Sequence, residues 1–104
     1  MIRYSVACRF SSVDPDLPGK WINWLKNGHL AQVIACGGRS AEIIELDDSV
    51  PHFEIRYSFN SREELDAYLA NHAPRLRAEG LDQFPIDLGL EFKRTVGKVV
   101  YVTN

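Results

Sequence analysis

Imidazole is the side chain that titrates nearest neutral pH, so proton-transfer chemistry in this chain is sought first at its histidines. There are three, His29, His52 and His72. Two of them end the same short pattern. Trp24-Leu25-Lys26-Asn27-Gly28-His29 is followed by Val33, Ala35 and Gly37, and Tyr68-Leu69-Ala70-Asn71-His72 by Leu76, Ala78 and Gly80. With Gly28 removed they align as aromatic, Leu, any residue, Asn, His, then apolar, Ala and Gly at four, six and eight residues after His. A structural explanation exists, because Asn suits a helix end and His near a helix C-terminus interacts well with the dipole. The functional reading puts both histidines at helix breaks beside one cleft, as candidate acid–base groups. Neither has an orienting carboxylate beside it in sequence, although Glu63, Glu64 and Asp66 can approach in space.

The other reactive residue types offer less. His52 sits in a turn and reads as solvated. No HxH or HxxxH spacing supports a metal site, and none is expected. Cys36 falls at the end of a helix, where the dipole's negative end raises a thiol pKa, and Cys8 falls on an apolar strand face. Gly37-Gly38-Arg39 is no phosphate loop, since no lysine follows and a helix precedes it, and no other cofactor motif stands out. Trp21 and Trp24 share a helix; they line a pocket for a flat ligand or belong to the core.

The elements that must position these residues follow from periodicity. Ile2, Tyr4, Val6, Cys8 and Phe10 alternate with Arg3, Ser5, Ala7 and Arg9, which marks a strand with one buried face. A polar turn over 11–16 leads to a helix with Pro18 in its first turn and Asp16 placed to cap it. The stripe Trp21, Trp24, Leu25, Leu30, Val33 and Ile34 is interrupted at Asn27-Gly28, so a bend or two helical pieces are expected, ended by Gly37-Gly38. Residues 39–46 and 52–60 read as a hairpin, with Phe53, Ile55, Tyr57 and Phe59 inward and Glu54, Arg56 and Ser58 outward. Ser61-Arg62-Glu63-Glu64 is a capping box opening a helix with Leu65, Tyr68 and Leu69 on its apolar stripe. Pro74 breaks it, and Arg75 to Glu79 resumes a short helix closed by Gly80. A last strand spans about Leu88–Val96, with Leu88, Leu90, Phe92 and Val96 inward and Glu91, Lys93 and Thr95 outward. Strand, helix, strand, strand, helix, strand makes two βαβ halves, and right-handed crossovers give the order 4-1-3-2. The expected fold is a ferredoxin-like α+β sandwich, one domain over residues 1–104, with its helices on one face.

The chain has 104 residues, 45% of them apolar and 25% charged, which suits a single globular domain. Net charge is −2, and residues 1–60 and 61–104 each carry six Lys/Arg and seven Asp/Glu. Without a basic tail, stripe or amphipathic helix, neither nucleic acid nor a membrane surface is an expected partner. Met1-Ile2-Arg3-Tyr4 lacks a signal-peptide core and the two cysteines form no disulfide framework, so the cytoplasm is the expected home. The polar outer face of the sheet either meets water or lines an interior shared with a second copy. Val99-Val100-Tyr101-Val102 favours the second: it is β-prone, yet the fold has already used its four strands. The segment 97–104 is expected to cross to a partner in a homodimer.

Trp24-Leu25-(x)3-His29, Cys36-Gly37 and above all Asn71-His72-Ala73-Pro74-Arg75-Leu76-Arg77-Ala78-Glu79-Gly80-Leu81 resemble a bacterial family of about this length, catalogued only as a domain of unknown function. The similarity spans nearly the whole chain. It implies a dimeric α+β-barrel protein of the ferredoxin-like class and no particular activity; Gly28 departs from the family's more continuous helix. Three functions fit. The first is a homodimer binding a small ligand between helices and sheet, with Trp24, His29, His72 and Arg75 as ligand-binding residues. The second is a cofactor-independent, monooxygenase-like enzyme with His29 or His72 as base and Trp24 or Arg75 positioning substrate. The third is a protein-interaction module acting through its outer strand or charged sheet face.

Overall fold

The computed structural model describes residues 1–12 and 14–104. Its elements run β1 (Ile2–Phe10), α1 (Leu17–Trp24), a π-helical turn (Leu25–His29), α2 (Leu30–Ala35), β2 (Ser40–Glu45), β3 (His52–Phe59), α3 (Arg62–Asn71), α4 (Ala73–Gln83), a 3-10 turn (Ile86–Leu88) and β4 (Leu90–Lys98). The four strands form one antiparallel sheet in the order β2-β3-β1-β4, which is the expected order read from its other edge. The helices cover one face, and the fold is ferredoxin-like. The expected polar turn over 11–16 includes Val13, which lies outside the described residues.

Alternation in β1 settles which residues meet the helices. Tyr4, Cys8 and Phe10 are buried with Ile55, Tyr57 and Phe59 of β3 and Leu90 of β4. Trp21, Leu25, Val33, Leu65, Tyr68 and Leu76 close over them from the helices. Each such aliphatic or aromatic side chain contributes about 1.5–3 kcal/mol on burial, so the sandwich is held mainly by this one layer. The outer face carries polar pairs instead, with Arg3 donating to the Ser58 hydroxyl and Arg56 paired with Glu54 at 2.9 Å.

The helix ends follow local chemistry, with three departures from expectation. Ser61 caps α3 by accepting from the Glu64 N–H at 3.2 Å, but Asp16 makes no side-chain cap on α1. The break between α3 and α4 falls at His72, and Pro74 occupies the first turn of α4, where its missing N–H costs nothing. Gly80 does not end α4, which continues to Gln83. It lies at a close approach instead: a Cβ there would lie 3.3 Å from the Trp24 ring. The last strand starts at Leu90 and runs on to Lys98, because the 3-10 turn takes up Leu88.

Candidate functional site

The bend expected at Asn27-Gly28 is what places His29. The backbone leaves helical geometry at Asn27 (φ −94°, ψ 22°) and Gly28 (φ 157°, ψ −42°) before resuming it in α2. This turn folds His29 back against α1, where its ring stacks on Trp24 with centroids 4.3 Å apart and an interplanar angle of 23°. Trp24 in turn meets Phe84 edge-on at 5.7 Å. These three rings form one wall of a cavity of about 380 Å³ between the helices and the sheet. Val6, Ile55 and Phe92 form its floor, with Leu81 and Ile86 at its rim. Trp21 is buried against Phe10 and also reaches the cavity, so it is core and lining at once.

The polar lining is compact. Tyr4 of β1, Tyr57 of β3 and Tyr68 of α3 cluster, with Tyr4 stacked on Tyr57 at 6.0 Å and 6.4 Å from Tyr68. Arg77 of α4 donates from Nη2 to the Tyr4 hydroxyl at 3.0 Å, linking residues 73 apart in sequence. Arg94 of β4 lies with its guanidinium carbon 5.5 Å from the Phe92 ring centroid. Burial holds the Tyr57 phenol well above the ordinary range and pushes Tyr68 up to about 12, so both are neutral donors at neutral pH. Burial also lowers the His29 pKa from 6.5, opposed by the negative charge of Glu79. A neutral imidazole at this position can accept a hydrogen bond or a proton from a bound molecule.

The four residues singled out from sequence part company here. Trp24 and His29 line the cavity; His72 and Arg75 do not. His72 stands at the α3–α4 junction, its backbone N–H held by the Tyr68 carbonyl at 2.9 Å. Arg75 lies on the exposed side of α4, bound to Glu79 at 3.1 Å, and Glu79 is the carboxylate whose charge reaches His29. The two aligned histidines therefore occupy different environments. His52, expected in solvent, shares Asp48 with Arg9: its Nδ1 is 3.1 Å and the Arg9 Nε 2.7 Å from the same carboxylate oxygen. The Arg9 guanidinium, with the Ser49 backbone N–H, holds Asp48 far below the usual carboxylate range. Cys8 is fully buried, its thiol pushed up to about 12, and is inert core. Among the described residues, no three His, Cys, Asp or Glu side chains gather as metal ligands. Among them, too, no helix is long and apolar enough to cross a membrane.

Sequence reasoning missed Arg94, Arg77 and the tyrosine trio. Arg94 carried a signal: strict alternation puts residue 94 on the same face of β4 as Phe92 and Val96, opposite Val6 of β1.

Residues 1–97 match the family described as Domain of unknown function (DUF4286), and the chain belongs to it. No curated protein matches the sequence. Its fold is shared with solved structures of low identity. A dimeric ferredoxin-like protein from an uncultured marine organism is 12% identical, with a TM-score of 0.70 over 98% of this chain and 97% of that one. SnoaB, a cofactor-independent oxygenase from Streptomyces nogalater, is 8% identical, with a TM-score of 0.70 over 97% and 94% of the two chains. Rv0793 from Mycobacterium tuberculosis is 18% identical, with a TM-score of 0.63 and both chains fully covered.

Proposed function

We propose that this chain works as a homodimer that holds a small, flat organic ligand between its helices and its sheet. The observation that carries the reading is the cavity: about 380 Å³, walled by aromatic rings, with a few polar groups converging on it. Ligand sites for small molecules have this size and this mixture of lining. The homodimer is supported by the description of the marine neighbour as dimeric and by the exposed apolar tail after β4. The single domain spans residues 1–104; since β4 pairs with β1 as far as Lys98 and the Val99 N–H is held by Met1, the part contributed to the partner is the tail from Val100 onward. Two free thiols, Cys8 and Cys36, suit a reducing cytoplasm.

Native mass spectrometry of protein taken fresh from lysate tests this reading. The expected spectrum is a dimer carrying a reproducible extra mass. A bare chain whose melting temperature no member of a broad metabolite panel shifts refutes it.

A second reading has one specific observation in its favour. His29 is a neutral base stacked on Trp24 at the cavity wall, and one structural neighbour is a cofactor-independent oxygenase. In that reading His29 removes a proton from an acidic group of the ligand, and Trp24 fixes the plane of the bound ring. Turnover of a candidate substrate should then vanish in His29→Ala while the melting temperature stays close to that of the wild type. Unfolding of that variant points to a structural role for His29 instead.

A further inference from the structure

We propose that the cavity selects an organic anion with a flat apolar body, and that Arg77 and Arg94 make the selection; this rests on the ligand-binding reading above.

The first argument is charge. The cavity lining holds two arginines, a histidine and three tyrosines, and no aspartate or glutamate. The second is that these arginines are free to act. Among the described residues the ion pairs engage Arg9, Arg56, Arg62, Arg75 and His52, and none engages Arg77 or Arg94. Arg75, two residues from Arg77 on the same helix, shows the contrast: it is neutralised by Glu79 and faces away from the cavity. A guanidinium offers five donors. Arg77 commits one to the Tyr4 hydroxyl, and Arg94, over the Phe92 ring, is in none of the ion pairs above.

The third argument is convergence. Arg77 enters from α4 and Arg94 from β4, so the two flank the cavity from opposite layers of the sandwich. Both line the same cavity as the Tyr68 phenol, and both charges oppose the burial that raises its pKa. No buried side-chain N or O atom is sealed off without a partner among the described residues. The Tyr57 and Tyr68 hydroxyls, which bond to no described protein group, therefore open onto the cavity as further donors. An anion between the arginines receives charge-assisted hydrogen bonds, roughly twice as strong as neutral ones. Its apolar body lies among Trp24, Phe84 and Phe92. Both arginines are exposed at the cavity's edge, so the fold does not need them for its core.

The test uses a near-isosteric pair, 2-naphthoate and 2-naphthamide, titrated calorimetrically into the full chain at pH 7.5. The wild type is expected to bind the acid at least tenfold more tightly than the amide. Arg94→Gln and Arg77→Gln should each lower affinity for the acid about tenfold and leave the amide unchanged, and Arg94→Lys should keep part of the preference. Circular dichroism confirms that each variant is folded. Equal binding of acid and amide by the wild type overturns the anion selection and leaves the ligand cavity standing. A preference for the acid that survives in both glutamine variants overturns the assignment to these residues. If neither compound binds, this inference is overturned, while the ligand reading itself is decided by the mass spectrum and metabolite panel above.

Discussion

His29 reaches the cavity wall as an uncharged ring because the same burial that stacks it on Trp24 disfavours its charged form. That has a consequence for stability. The folded pKa lies below the ordinary 6.5, so on acidification the unfolded chain takes up the proton first. The contribution of a neutral His29 is complete above about pH 6.5 and declines as pH falls toward the folded value. Melting temperatures measured between pH 7.5 and 5 should drop more steeply for the wild type than for His29→Gln; parallel slopes would show that the ring is fully hydrated. The pattern that drew attention to His29 in the sequence drew equal attention to His72, and only geometry separates them. One follows a π-helical turn that folds it onto Trp24, whereas the other simply stands where α3 gives way to α4. Arg94 was legible in principle, since a charged residue at an inward position of an alternating strand has no core to join. The Arg77–Tyr4 contact was not legible, because it depends on how α4 lies across β1.

At the scale of elements, period-two alternation carried the strands and a capping box carried the start of α3. Both signals come from residues close in sequence. What sequence misplaced were boundaries decided by packing. Gly80 reads as a helix end because glycine often is one, yet it lies mid-helix, close against the Trp24 ring. A glycine that the backbone does require is Gly89, which turns the chain from the 3-10 segment into β4 with φ 94° and ψ 33°. A Cβ added there would come within 2.8 Å of the Ser12 backbone nitrogen. Gly89→Ala should therefore destabilise the protein by about 1–3 kcal/mol, the usual cost of a strained backbone position, and more if Ser12 cannot shift. For a domain of this size each kcal/mol lowers the melting temperature by roughly 4–8 °C. Urea titration checks it: the midpoint should fall with the slope unchanged, and an unaltered midpoint would mean that the turn has relaxed around the new methyl group.

Over the whole molecule, the tail is the part that a single chain leaves without a use. Val100, Tyr101 and Val102 are 87, 80 and 71% exposed, and the backbone is tied to the sheet only as far as the Val99 N–H, which donates to the Met1 carbonyl at 3.0 Å. A β-prone apolar segment in this position invites pairing with another chain. Two-fold exchange would bury six such side chains, worth about 9–18 kcal/mol gross at the usual value per buried residue. Association costs about 4–15 kcal/mol in lost rigid-body freedom. The tail can thus drive dimerisation with a margin small enough to be erased by two charges per chain. The double variant Val100→Asp/Val102→Asp should sediment as a monomer at concentrations where the wild type sediments as a dimer, with its helical and strand content intact. Because the sheet's outer face is polar and nearly balanced in charge, added salt should weaken the wild-type dimer far less than these substitutions do. A wild type that is monomeric throughout would assign the tail to some other protein, and a double variant that stays dimeric would move the interface to the sheet face itself.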